Sequence, residues 1–165
     1  MINQVRRVGN LITRAAGVPD DAFSFFVSDE SNICGYAHYP EKAIVITYGL
    51  YRDCRSEDEL AAVLGHEIGH MVSQLKYPQG RRQIESHHDT DTRKIDLSHL
   101  EEYKADRLSV QFLKKAGYDP TALSRIQWRW MLYEVKSGVA EVFDDSRSVH
   151  PSPLKRIVAL NRAPL

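Results

Sequence analysis

The chain has 165 residues, of which 42% are hydrophobic and 27% charged, enough for one sizeable core in a single domain over residues 1–165. Lysine plus arginine equals aspartate plus glutamate at 22 each, so no bulk field draws nucleic acid or an anionic membrane; both are demoted, and no nucleic-acid partner is expected. No apolar run approaches the roughly 18 residues of a membrane-spanning helix, and Cys34 and Cys54 lie outside any Cys-x-x-Cys arrangement, which argues against redox and zinc-knuckle chemistry.

Taken from the N-terminus, Val5, Val8, Leu11, Ile12 and Ala15 recur at helical spacing, predicting an amphipathic helix from about Asn3 to Ala16 that ends at Gly17, before Pro19. The interruptions at Gly9, Asn10, Thr13 and Arg14 make it a poor signal peptide. Three strands follow: Phe23–Val27, Asn32–Tyr39 and Lys42–Thr47, with turn chemistry at Asp29-Glu30-Ser31 and Pro40-Glu41. Ser56 and Glu59 read as a capping box opening a helix that is apolar nearly all round through Val72, and therefore buried. Gly65 and Gly69 are costly in a helix, and their spacing predicts close approach by another element. Tyr77–Asp96 is polar and reads as a loop or lid; within it, His87-His88-Asp89-Thr90-Asp91 could grip a second metal, although a solvated loop suits that stretch better. Ser98 and Glu101 suggest a second capping box for a helix that Gly117 ends. Asp119 and Pro120 open a third helix, whose broad set of Leu123, Ile126, Trp128, Trp130, Met131, Leu132, Tyr133 and Val135 predicts core packing, with a partner facing its aromatic side as the alternative. Ser146–His150 leads to a last helix, capped by Ser152 with Pro153 at its first position. Strands followed by helices imply an α+β class, mainly helical, with a small three-stranded sheet against the buried helix.

The chemistry concentrates in His66-Glu67-Ile68-Gly69-His70. Histidines four apart share one helix face, so their imidazoles can hold one zinc ion while the glutamate between them stands next to the water that ion activates. Chance supplies about 0.02 such matches in a chain of this composition. The alternative, two exposed histidines beside a solvated glutamate, fits poorly with the apolar flanks. A third ligand is needed, and Glu102 is the candidate. Asp106, four residues on, shares its face and could hold the tautomer of a ligand histidine. Without the histidine pair, Glu102 and Asp106 would read as an ordinary charged face beside Lys104 and Arg107.

With these residues in hand, the sequence resembles the gluzincin metallopeptidases of the HtpX-like and CAAX-prenyl-endopeptidase type. The pattern is His-Glu-x-x-His followed by Glu-x-x-Ala-Asp on a later helix, here Glu102 to Asp106. Ala116-Gly117-Tyr118-Asp119-Pro120, His150-Pro151 with Arg156, and Asn32-Ile33-Cys34-Gly35-Tyr36 follow the same family order, and Ile44–Leu50 resembles its strand leading into a Gly-Leu turn. Cys34 and Gly35 depart from the usual Phe-Ala. The resemblance implies a zincin-like fold and one zinc ion per chain, held by His66, His70 and Glu102. It also implies Glu67 as the base, His150 as a donor to the oxyanion, and Asp106 and Arg156 as supports. Substrate binding then falls on Asn32, Ile33, Cys34, Gly35 and Tyr36 along an edge strand, where an extended peptide can pair.

The expectation is a zinc-dependent endopeptidase acting on peptide or protein substrates in extended or unfolded form. A latent or non-cleaving zinc-binding module is the alternative, with Cys34 touching the metal as one device for latency. Otherwise Cys34 and Cys54 read as free buried thiols. A cytoplasmic location is expected if Met1 is the native start, and an excised soluble domain of an exported or membrane-associated protein otherwise. Oligomeric state is left open.

Overall fold

The computed structural model describes residues 1–76, 91–138 and 150–162. The elements in chain order are α1 (Ile2–Ala15), β1 (Ser24–Ser28), β2 (Gly35–His38), β3 (Ala43–Thr47), α2 (Tyr48–Asp53), α3 (Glu57–Lys76), α4 (Asp91–Ala116), α5 (Ala122–Lys136) and α6 (Pro153–Arg162). The chain is mainly helical with one three-stranded mixed sheet, as the hydrophobic patterning implies. Among the described residues, no helix is long and apolar enough to cross a membrane.

The sheet order is β1-β3-β2. β3 is buried on both faces and pairs parallel with β1 and antiparallel with β2, where Gly35 faces Ile46 and Tyr36 faces Val45. β2 is thus an edge strand. It is shorter than the expected Asn32–Tyr39, because a side chain takes the ladder's place at its start. The Thr47 hydroxyl donates to the Asn32 carbonyl (2.5 Å) and accepts from the Cys34 and Leu50 N–H groups (3.1 Å each). One threonine therefore caps α2 and fastens the approach to β2. The reading of Ile44–Leu50 as a strand into a Gly-Leu turn did not anticipate α2 as a helix, yet Thr47 is a good N-cap residue.

α1 buries Val5, Val8 and Ile12 completely. Its Gly9 lies so close to the Phe25 ring that a Cβ there would sit 2.5 Å from ring carbons. α3 is buried continuously from Glu59 to Gly69, as its all-round apolarity requires. Its N-terminus is closed by a variant of the capping box: Glu59 N–H donates to Ser56 Oγ (3.2 Å), and the Glu59 carboxylate accepts from the N–H of Arg55, one residue before the cap (2.8 Å). The same carboxylate receives Arg129 from α5, which also bonds Asp53, and the Trp130 indole donates to Asp53 at 2.9 Å. α5 is thereby pinned to α2 and α3.

Several boundaries differ from expectation. α4 begins at Asp91, so Ser98 and Glu101 are interior rather than capping. Residues 91–116 contain neither proline nor glycine, and nothing stops the helix from extending upstream. The proposed loop over Tyr77–Asp96 is therefore helix from Asp91, and the remainder, with His87 and His88, lies outside the described residues, as does Ser146. Gly117 ends α4 at φ +81°, as expected. α5 starts at Ala122 rather than at Pro120, because Asp119 Oδ1 takes Thr121 N–H (2.8 Å) in a turn before the helix. α5 is also less buried than its sequence suggests: Leu123 and Ile126 are core, while Trp128, Leu132, Tyr133 and Val135 are exposed.

α3 and α4 approach most closely at the two predicted glycines. A Cβ on Gly65 would lie 2.8 Å from Ser109 Oγ, and one on Gly69 would lie 2.9 Å from the Ala105 carbonyl oxygen. Ser109 Oγ uses this proximity to donate to the Ala62 carbonyl at 2.7 Å. Alanine favours a helix over glycine by about 1 kcal/mol, but backbone at Ala105 cannot swing aside. Gly69→Ala is therefore expected to destabilise the fold by about 1–3 kcal/mol, read from the urea midpoint. A variant as stable as the parent would mean that the helices part freely.

Candidate metal centre

α3 and α4 run antiparallel at this contact, so each four-residue step along one helix is matched by a four-residue step back along the other. Gly65 meets Ser109 and Gly69 meets Ala105; one residue further along α3 and three residues back along α4, His66 meets Asp106 and His70 meets Glu102. The two i, i+4 pairs read from sequence are thus rungs of one ladder. His66 Nε2 and His70 Nε2 face each other at 3.1 Å with the rings edge-on at 89°. Glu102 closes the triangle, with Oε1 3.1 Å from His70 Nε2 and Oε2 3.4 Å from His66 Nε2. These ligand-type atoms lie within 4.8 Å of one another.

Two features of this triangle suit a cation. Asp106 Oδ1 lies 2.8 Å from His66 Nδ1, which assigns the ring proton to Nδ1 and leaves the Nε2 lone pair aimed at His70. Lone pairs 3.1 Å apart repel unless a proton or metal ion lies between them, and nitrogen ligands at about 2.0–2.1 Å from a tetrahedral ion would stand at about that separation. The second feature is Glu102 Oε2. It is buried and makes no hydrogen bond of good geometry, although His66, His150 and Arg156 nitrogens lie 3.4, 3.2 and 3.3 Å away. A buried lone pair without a partner is costly, and a cation would satisfy it. Cys34 does not belong to the triangle: its Sγ points to the Gly35 carbonyl at 3.8 Å. Cys34 and Cys54 are both free thiols, and both are only partly buried.

Behind the histidines lies a charged brace. Arg156, on α6 and 8% exposed, donates from Nε to Asp106 Oδ2 (2.8 Å) and from Nη2 to Asp106 Oδ1 (2.5 Å). Sequence reasoning missed Gln127, a fully buried α5 residue whose amide oxygen, in its hydrogen-bonding orientation, accepts from the same guanidinium at 3.3 Å. The signal available was a single polar position on a face otherwise made of Leu123 and Ile126. Burial alone would push Asp106 up, but the Arg156 charge and the hydrogen bonds from Arg156 and His66 bring it down to about 2. Burial likewise opposes the Glu102 charge, and the His150, His66 and His70 imidazoles gathered around it carry it well below the carboxylate range.

Glu67 is 8% exposed and lies against β2, where a Cβ on Gly35 would come within 3.2 Å of its Oε1. His150 keeps a largely exposed side chain at the mouth, with Nδ1 3.2 Å from Glu102 Oε2. Of the expected substrate residues, Asn32, Ile33 and Cys34 form the approach to the edge strand, while Gly35 and Tyr36 lie within it. Two cavities, of about 510 and 440 Å³, meet at His66, Glu67, Glu102 and His150, with Cys34 and Gly35 in the wall of both.

The family model of peptidase family M48 matches residues 2–76 and 88–163. This chain belongs to peptidase family M48. It is accordingly a metallopeptidase, a hydrolase of peptide bonds, and the His-His-Glu triangle is the group among the described residues that could hold the metal ion of an M48 peptidase.

Without metal, His66 carries a proton. Burial and the Arg156 charge disfavour the imidazolium, but the hydrogen bond to Asp106, the Glu102 carboxylate beside the ring and the Asp106 charge outweigh them and raise it to about 9. An incoming metal ion must displace that proton. Below this value the apparent affinity for a divalent ion should rise by about tenfold per pH unit, then level off above it. Competition titrations across neutral pH check this, and a flat profile would remove His66 from the binding group.

Proposed function

We propose that residues 1–165 form a single catalytic domain of a zinc-dependent endopeptidase acting on extended or unfolded polypeptide. The observation that supports this most is the pairing of a His66–His70–Glu102 triangle with a buried carboxylate, Glu67, at the junction of two open cavities beside a sheet edge. Two imidazoles and one carboxylate are a donor set that suits zinc and leaves one coordination position open. Bound there, zinc supplies the Lewis acidity that polarises water and the scissile carbonyl.

The chain's own groups then have separate tasks. Glu67 accepts the proton of the attacking water and delivers it to the departing amine. His150, largely exposed at the mouth of the site, donates a hydrogen bond to the oxygen that gains negative charge. Asp106 keeps the Nδ1 proton on His66, so that Nε2 faces the site. Arg156 holds Asp106 with two hydrogen bonds, and its charge stands 3.3 Å from Glu102. Substrate backbone pairs with the free edge of β2, and the approach Asn32-Ile33-Cys34 extends that contact.

Glu67→Gln keeps the size and removes the base. It is expected to bind zinc with parental stoichiometry and to lose casein hydrolysis by at least ~100-fold; cleavage at the parental rate would reassign the base. Glu102→Ala should lower zinc affinity by about 10-fold or more, measured by chelator competition, and unchanged affinity would remove the carboxylate from the metal group. Zinc-loaded protein that leaves unfolded casein intact under all conditions would instead favour a non-cleaving zinc-binding module.

A further inference from the structure

On α5, Leu123, Gln127, Trp130 and Glu134 recur at helical spacing and share the face that borders the larger cavity. Gln127 is the buried polar member of this set: it is 1% exposed, and Leu123 and Ile126 beside it are core. An amide in such a place costs free energy unless it is hydrogen-bonded. Its oxygen accepts from both Nε and Nη2 of Arg156, at 3.3 Å each. Those are the two nitrogens that hold Asp106, and Asp106 in turn holds the Nδ1 proton of His66. We propose that Gln127 is a positioning residue of the metal centre: it keeps the Arg156 guanidinium on Asp106 and so keeps it off the ligand carboxylate of Glu102. This rests on the zinc reading above and extends it by one layer of residues.

Arg156 stands between two carboxylates with opposite requirements. Asp106 orients His66 by being gripped, whereas Glu102 serves a metal ion by keeping a lone pair available. Nη1 lies 3.3 Å from Glu102 Oε2, yet that buried oxygen receives no hydrogen bond of good geometry. A guanidinium carries its donors in one rigid plane, so a turn that tightens Nη1 on Glu102 loosens Nε and Nη2 from Asp106. A further acceptor on the Nε–Nη2 side biases that choice towards Asp106, and Gln127 supplies it without adding a third negative charge. The amide is presented from a helix with its own anchorage: Arg129 bonds Asp53 and Glu59, and the Trp130 indole bonds Asp53. With an apolar side chain at this position, the guanidinium is free to settle on Glu102 Oε2 and occupy the lone pair that zinc would use. Arg156 would still have a carboxylate for its donors, so the exchange strands no buried group.

The test compares variants of the full chain by two readouts besides turnover: zinc affinity from chelator competition, and the visible spectrum of the cobalt(II)-substituted protein, which reports the ligand set. Gln127→Met keeps the length and removes the acceptor. It should bind zinc about fivefold or more weakly and shift the cobalt bands, a smaller loss than the roughly 10–100-fold typical of groups that touch a ligand directly. Gln127→Asn draws the amide back by one methylene; it should weaken binding in the same direction, and it replaces Gln127→Met should that variant not fold. Gln127→Glu retains the acceptor and should restore both affinity and spectrum. Ile126→Val, at the fully buried neighbouring position, is the packing control: it should lower the melting temperature and leave both metal readouts as in the parent. Parental affinity and spectrum in Gln127→Met and Gln127→Asn overturn the inference, as does an equal loss in Gln127→Glu or in Ile126→Val. If these differences appear while the zinc-loaded parent leaves casein intact, the positioning role stands and the endopeptidase reading falls. A parent that binds neither metal overturns both.

Discussion

Everything at the site depends on how closely two helices approach. Gly65 and Gly69 let the α3 backbone come within reach of Ala105 and Ser109, and no other residue type leaves that space. The contact is also a register device. Because the helices are antiparallel, a slide of one turn would set one of the two glycines against a larger residue, Glu101 or Leu113. Packed interiors resist such slips, since overpacking by a single methylene is felt. The histidine and carboxylate rungs inherit this register without needing any metal to impose it.

The second layer of order is electrostatic and expensive. His66, Glu102, Asp106 and Arg156 are all nearly buried, and each depends on the others. Taking such charges out of water is costly, and removing one partner leaves another stranded, typically at about 3–5 kcal/mol. Arg156 therefore has a structural role as well as an electrostatic one: it joins α6 to α4, and through Gln127 to α5. Helices from three parts of the chain converge on one guanidinium. A neutral, well-packed core would be the safer way to join them, so the network is better understood through what it presents to the cleft than through stability.

Much of this was legible in the residues. Apolarity all round α3, paired glycines and matched i, i+4 spacings in His66–His70 and Glu102–Asp106 are local patterns, and local patterns survive into the fold. The buried helix, its capping box and the close contact at the glycines all follow from them. What escaped was non-local. Gln127 and Ser109 look unremarkable in sequence because their partners, Arg156 and the Ala62 carbonyl, are far along the chain. The start of β2 moved because Thr47, thirteen residues away, competes for the Cys34 amide. The start of α4 moved because Ser98 and Glu101 satisfy a capping pattern that an uninterrupted helix simply overrides. α5 misled because side chains suited to a core also suit a face left open to solvent or to a cleft.

Gly35 lies where the edge strand passes the Glu67 carboxylate. A group that first collects a proton on one side and then releases it on the other has to swing through a short arc. A methyl at Gly35 would press on both that oxygen and Leu50, each 3.2 Å from where it would sit. The bare strand thus leaves the proposed proton carrier space that a side chain at this position would take from it.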